Sequence, residues 1–238
     1  SPPALFGPVP TYRIDLSVRP ERRWDEVGRE FAPLLQAAVA EIEPYFRDLL
    51  GDWLVSALMA LCGLLCWVGL FPHAAELRGL ARSTGVPMGR LAVVQLVYEA
   101  TSACTSVVVD SSSAGIPVHV RTMDWNMPFD LRPLTVNVEF WESGRLVFAA
   151  TTWAGFVGVF TGMRPNGFSV SVNYRLCGGS VLRNLAMIPL LAWPVSTFVR
   201  HVLTHAATFE EARAMIDRAW LLAPCYVILA GTSAGLSL

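Results

Sequence analysis

The chain has no lysine: all 18 basic residues among its 238 are arginine. Schiff-base chemistry on a lysine amine and a Walker-type phosphate loop are excluded, since both require an ε-ammonium group. An excess of charge is also missing. The net charge is −1 and the pI about 6.4. Nucleic-acid binding needs a basic stripe against phosphates, so no nucleic-acid partner is expected. Charged residues make up only 16% of the chain and hydrophobic ones 53%. That balance excludes a disordered regulator and supports a large buried core in one domain or two closely packed parts. No Asn-x-Ser/Thr acceptor occurs, which weighs mildly against a glycosylated secretory origin. Ser1-Pro2-Pro3-Ala4 lacks the charged start and apolar core of a signal peptide. One is expected to be already removed or never present.

Cysteines are few and irregular, at positions 62, 66, 104, 177 and 225. An odd number without regular spacing fits neither a disulfide framework nor a zinc site, so at least one thiol is free. Cys62 and Cys66 are four apart in an apolar run and read as small buried hydrophobes on one helical face. His201 and His205 also lie four apart, but without the acid of HExxH or a third ligand they read as a helix-face pair. His119 reads as a satisfied or exposed strand side chain. No metal and no cofactor is expected.

One long uncharged run stands out, Trp53 to Phe71. As a helix it reaches about 29 Å, just enough for a bilayer. Its two glycines, two cysteines and lack of basic flanks favour a buried or lipid-touching helix over a span.

Texture changes near residue 104. Before it, apolar residues recur at three and four from Trp24 to Phe46, and Glu76 to Arg82 and Pro87 to Ala100 read as helices. After it come strand-like segments: Thr105 to Val109, Val118 to Met123, Leu134 to Trp141, Leu146 to Thr152, Phe156 to Thr161 and Phe168 to Tyr174. Glu142-Ser143-Gly144 is a hairpin signal. Leu182 to Ala206 and Phe209 to Ala219 return to helical period, with Thr208 as N-cap, and Cys225 to Gly231 is a last strand. The order fits an α+β fold in which antiparallel sheets are covered by helices.

The segment around Cys104 carries the chemical information. Tyr98-Glu99 precedes Ala103-Cys104-Thr105-Ser106, and Arg121 and Asp124 follow on the next strand. This combination resembles the subunit junction of acid ceramidase and N-acylethanolamine acid amidase, relatives of the bile-salt and penicillin V hydrolases. The resemblance continues through LTVNVEF (134 to 140), TTWAGFVGVFTGMRP (151 to 165), FSVSVNYR (168 to 175) and FEEARAMIDRAWLLAPCYVILAGTSAG (209 to 235). It implies an αββα sandwich of the N-terminal nucleophile hydrolase type. It also implies a proenzyme that cuts itself between Ala103 and Cys104, giving an α-subunit (1–103, helical) and a β-subunit (104–238) that remain together as a heterodimer.

By the same resemblance Cys104 is the nucleophile, Asp124 holds the freed α-amine, and Arg121 orients the thiol and stabilises its charge. Asn173 and Arg175 match the family's asparagine-glutamate-arginine string and either line the pocket or form a strand-end pair with no catalytic role, while Tyr174 stands where the family usually has a glutamate linked to self-cleavage. Residues three apart on a regular strand face opposite sides, so Arg121 and Asp124 converge only if the strand bends or ends between them. The family continues beyond the string at Gly231-Thr232-Ser233, so the sequence reads as C-terminally truncated. The implied activity is hydrolysis of fatty-acyl amides at a lipid surface in a lysosomal or other acidic compartment. N-acylethanolamine is favoured over ceramide by the short Asp124–Leu134 connection and by Ser1-Pro2-Pro3, whereas the segment from Phe209 to Pro224 leans toward ceramidase. The missing end and Tyr174 suggest an alternative, a non-catalytic lipid-associating member that stays uncut.

Overall fold

The computed structural model describes residues 8–96, 104–110, 115, 117–124, 130–175, 181–233 and 236–237. Ala103 and Cys177 lie outside the described residues. The leading segment folds into α1 (Asp25–Leu50), α2 (Asp52–Trp67), α3 (Ala74–Thr84) and α4 (Met88–Val94). In α1 the residues Val27, Phe31, Leu35, Val39, Ile42 and Phe46 form one buried stripe, as their spacing requires. Pro33 and Pro44 stand on its exposed side, where carbonyls deprived of a backbone donor can face water. The apolar run forms α2, 16 residues long, and turns at Gly69 with φ 81°. Among the described residues no helix is long and apolar enough to cross a membrane.

The strands are β1 (Thr11–Asp15), β2 (Cys104–Asp110), β3 (Pro117–Met123), β4 (Thr135–Glu142), β5 (Arg145–Trp153), β6 (Thr161–Arg164), β7 (Phe168–Tyr174) and β8 (Cys225–Ala230). Six of them form a sheet in the order β1-β4-β5-β6-β7-β8, and β2 and β3 form an antiparallel hairpin. The large sheet is antiparallel except for β1, which runs parallel to β4. β1 was not anticipated from the sequence. The first segment is therefore not purely helical; it supplies an edge strand to the sheet built by the second. Ser143 and Gly144, at φ 50° and 79°, make the expected tight turn between β4 and β5.

Alternation gives the sheet two unlike faces. Tyr12, Val138, Ala150, Gly162, Val170 and Leu229 lie in one row of paired positions and face the helices. Phe140 and Phe148, both buried, stack at 4.2 Å on that side. The neighbouring row is Thr11, Asn137, Thr151, Thr161, Ser171 and Ile228, a largely polar surface partly covered by the hairpin. Among the described residues three further α-helices follow: α5 (Val181–Ala186), α6 (Val195–His205) and α7 (Phe209–Ile216). A Cβ on Gly162 would stand 2.5 Å from Leu203 of α6, so glycine there lets the helix sit down on the sheet. The α+β layering agrees with the expected fold class.

Two expectations fail for identifiable reasons. Phe156 to Thr161 is not a strand, because its backbone groups are taken by other elements. The Val157 N–H donates to Gln95 Oε1, the Val157 carbonyl accepts from Arg200 and the Val159 N–H donates to the Ser196 carbonyl. Leu182 to Ala206 is not one helix. Pro189 and Pro194 interrupt it and Leu191 adopts φ 58°, consistent with the bias of residues before proline away from helix. The Thr208 cap is present as a reciprocal capping box with Glu211.

Glu76 of α3 ties the layers together. Its carboxylate, 1% exposed, accepts from Arg200 Nη1 and Nη2 at 2.7 and 2.8 Å, Arg23 Nη1 at 2.9 Å and Trp24 Nε1 at 2.5 Å. Arg200 also donates to the Val157 carbonyl at 2.8 Å and lies 4.7 Å over the Phe140 ring. Burial alone would raise the carboxyl pKa. The charge and hydrogen bonds of Arg200, with His73 and Trp24, outweigh it and bring the value down to about 2. His73 beside it is pushed down to about 3, chiefly by burial and then by Arg200.

Removing one member of a buried charge pair costs about 3–5 kcal/mol. Glu76→Gln and Arg200→Met should each lower the unfolding free energy by that amount in denaturant titration. Both His73 and Glu76 have folded values below their ordinary ones of 6.5 and 4.5, so the folded state binds fewer protons and stability falls with pH. The loss should begin near pH 6.5 through His73 and steepen below 4.5 through Glu76, and His73→Asn should flatten the upper part of a stability–pH curve.

Candidate active site

Cys104 opens β2, and its side chain lies on the inner face of the hairpin with Ser106, His119 and Arg121. Arg121 Nη2 donates to Cys104 Sγ at 2.9 Å and to the Val172 carbonyl of β7 at 3.1 Å. The Tyr174 backbone N–H donates to the same sulfur. Burial pushes the Cys104 thiol up, the charge and hydrogen bond of Arg121 and the Tyr174 N–H pull it down, and Asp124 adds to the rise. The net direction is upward, so the group is a thiol that needs a base. By contrast, Cys62 and Cys66 are pushed up to about 12 by burial and are inert.

The strand-end condition for Arg121 and Asp124 is met in a specific way. β3 ends at Met123, which pairs with Cys104, and Asp124 follows just past the end. Its Oδ2 accepts from Thr105 Oγ1 at 3.2 Å and Thr122 Oγ1 at 3.0 Å. Those threonines belong to the outer side of the hairpin. The Asp124 carboxylate thus lies on the outer side of the hairpin, while Arg121 reaches the sulfur from inside.

The other sequence candidates divide. Asn173 contacts Ser106 of the hairpin and Tyr174 contributes its backbone N–H to Cys104. The Arg175 guanidinium lies 5.3 Å over the ring of Tyr226, the cross-strand partner of Asn173. His201 and His205 stack ring to ring at 4.2 Å, and His205 Nδ1 bonds the His201 carbonyl. Among the described residues no group of three or more His, Cys, Asp or Glu could hold a metal ion.

Sequence reasoning did not single out the polar seam between hairpin and sheet. His119 Nδ1 and Nε2 lie 2.9 and 2.8 Å from Ser169 and Ser171 Oγ, and Ser106 Oγ lies 2.8 Å from Ser171 Oγ. A readable signal exists: Ser169, Ser171 and Asn173 alternate with the buried Phe168, Val170 and Val172, a period-two polar row on a strand whose other face is core. Elsewhere, between the α2–α3 junction and the Ile188–Pro194 segment, a cavity of about 350 Å³ is lined by Leu65, Phe71, His73, Leu96, Ile188 and Trp193, among others.

With this geometry in place, similarity to known proteins can be stated. A family model described as the beta subunit of N-acylethanolamine-hydrolyzing acid amidase matches residues 7–65, a stretch that precedes Cys104 and contains β1 and α1. The acid ceramidase of Pan troglodytes is 33% identical over 99% of this chain and 64% of that protein. That of Homo sapiens is 32% identical with the same coverage. A solved structure of a Caenorhabditis elegans N-acylethanolamine-hydrolyzing acid amidase ortholog is 34% identical, covers 56% of each chain and superposes with a TM-score of 0.51. The chain spans 64% of the length of the curated relatives it matches.

The layered α+β arrangement is that of the N-terminal nucleophile hydrolases. Within that class, the chain is similar to acid ceramidases along nearly its whole length and to an N-acylethanolamine-hydrolyzing acid amidase over about half of it.

If Arg121 holds the Cys104 sulfur as this geometry indicates, Arg121→Met should slow alkylation of Cys104 by iodoacetamide about tenfold at neutral pH, equivalent to about one pKa unit. Peptide mapping should find Cys62 and Cys66 unmodified in the native protein before and after the substitution.

Proposed function

We propose that the chain is a self-cleaving cysteine amidase that hydrolyses fatty-acyl amines, with N-acylethanolamines favoured over ceramide. The observation that carries this reading is the 2.9 Å contact of Arg121 Nη2 with Cys104 Sγ at the first residue of a strand. In self-cleavage Cys104 Sγ attacks the Ala103 carbonyl, the Ala103–Cys104 C–N bond breaks, and water releases the Ala103 carboxylate. Cys104 then carries a free α-amine with an ordinary pKa of about 7.7–8.0, below the ordinary thiol value of about 8.5.

That amine supplies the base for a thiol whose pKa burial has raised. It takes the thiol proton as sulfur attacks the substrate carbonyl carbon, and returns it to the leaving nitrogen as the C–N bond breaks. Water, deprotonated by the same amine, hydrolyses the thioester to fatty acid and free thiol. Asp124, one position past the Cys104 partner Met123, is the group assigned to hold the amine in its cationic state. Asn173, Tyr174 and Arg175 are assigned to the wall of the pocket.

A lipid-facing surface is part of the proposal. Trp53, Ala57, Ala60, Leu64 and Trp67 are all exposed and recur at three and four along α2, so one whole side of the helix is apolar and open. Trp53 and Trp67 are 80% and 73% exposed. Such a stripe suits the membrane interface. After the cut, the two subunits would stay joined through β1 and through the Glu76–Arg200 pair. The working site is an acidic compartment, by analogy with relatives named acid ceramidase.

The competing reading, a lipid-associating family member that stays uncut, is favoured by Tyr174 in place of the family's glutamate. Mass spectrometry of the chain after incubation at acidic pH separates the two. Fragments ending at Ala103 and beginning at Cys104 are expected, Cys104→Ala should abolish both cleavage and amide hydrolysis, and Tyr174→Glu should speed cleavage. A wild-type chain that stays whole under those conditions sinks the amidase reading.

A further inference from the structure

We infer that His119 is a positioning residue, an imidazole clamped between Ser169 and Ser171 that fixes β3 at the height where Arg121 meets the Cys104 sulfur. This rests on the reading of Cys104 as the reactive thiol and goes beyond it by naming what holds the thiol's partner in place.

Arg121 is weakly fixed by its own bonds. Among the described residues only Nη2 is engaged, by Cys104 Sγ and the Val172 carbonyl, and the buried Nε has no partner there. Where the guanidinium rests therefore depends on where β3 lies against β7. His119 is two residues earlier on the same face of β3 and has both ring nitrogens bonded to β7, at 2.9 Å to Ser169 Oγ and 2.8 Å to Ser171 Oγ.

The clamp has a direction. Ser171 is fully buried, so its hydroxyl cannot turn to solvent. The Asn173 amide satisfies both its ends with nitrogen donating to Ser106 Oγ at 2.8 Å and to the Val172 carbonyl, and with oxygen accepting from the Ser106 N–H at 3.2 Å; this orientation follows from the hydrogen bonding. Ser106 Oγ then donates to Ser171 Oγ, Ser171 Oγ donates to His119 Nε2, and His119 Nδ1–H donates to Ser169. A neutral ring with its proton on Nδ1 is required, and burial pushes the His119 pKa down from its ordinary value.

Each end of this relay touches the sulfur's surroundings. Ser106 is two residues beyond Cys104 on the same face of β2. Asn173 lies between Val172, whose carbonyl accepts from Arg121, and Tyr174, whose N–H reaches Cys104 Sγ. A shift of the relay moves all three groups around the thiol. An imidazole that merely filled space would have no such coupling.

The test is the rate of Cys104 alkylation by iodoacetamide across pH, read by peptide mapping on the full chain, with Arg121→Met as the reference for a lost partner. Asn places its amide where His carries Nδ1, and Gln places its amide where His carries Nε2. His119→Asn and Ser106→Ala should therefore slow alkylation about tenfold and raise its pH midpoint by about one unit, toward the reference. His119→Gln, which can still meet Ser171, should stay within about threefold of wild type. Wild-type rate and midpoint in His119→Asn overturn the inference, and so does an equal slowing in the Asn and Gln variants that follows a shared drop in melting temperature. Because alkylation needs no catalysis, a chain that never cuts at 103–104 defeats the amidase reading while leaving this outcome separately readable.

Discussion

A single buried carboxylate holds the layers in register. Glu76 accepts from α6 through Arg200, from the chain entering α1 through Arg23, and from the indole of Trp24. None of these elements can slide without leaving a charge unpaired in the core, a far larger penalty than the pair's net contribution to stability. The constraint also reaches toward the site. Arg200 fixes the Val157 carbonyl, the same turn presents the Phe160 carbonyl to the Val172 N–H at 3.0 Å, and the Val172 carbonyl accepts from Arg121. A continuous set of hydrogen bonds thus links a charge pair on the helical side of the sheet with a cysteine on the other.

The large sheet separates two environments. Its inner face is aliphatic and aromatic, packed against α1, α3 and α6, and gains most of its stability from burial. Its outer face carries hydroxyl and amide groups, and the β2–β3 hairpin rests on them through directional bonds. Such bonds tolerate little displacement, which suits a surface that must hold a guanidinium against a sulfur. The thiol at the end of the hairpin is half-buried, shielded enough to need a base and open enough to be reached.

Much of this was legible in the chain. Periodicity located α1 through its apolar stripe, residue type located the Glu142-Ser143-Gly144 hairpin turn, and the Thr208 cap was legible from a threonine followed by Glu210 and Glu211 in the first turn. Cys104, Arg121 and Asp124 were singled out through their local strings. What escaped was non-local. Phe156 to Thr161 has the composition of a strand, but its donors and acceptors are claimed by Gln95, Arg200 and Ser196, each distant in sequence. The Leu182–Ala206 pattern is helical in period, and its two prolines outweigh that signal. β1 is five residues long and, among the described residues, pairs only with β4, so its identity as a strand depends on a partner more than a hundred residues away. Ser106, His119 and Ser171 were passed over because serine and histidine on a strand carry no message until the opposing strand is known.

The position of β1 has a consequence for the order of events as the chain is made. Among the described strands it emerges first, yet its partner among the described residues, β4, is separated from it by all of α1 to α4 and by the β2–β3 hairpin. Pairings so distant in sequence form slowly. Until β4 appears, the helices with the open tryptophan stripe of α2 must stand without the sheet that will bury their inner sides, a state prone to sticking to other chains. The earliest of the described strands is the one whose pairing waits on the rest, and a nascent chain of this kind depends on protection before it depends on stability.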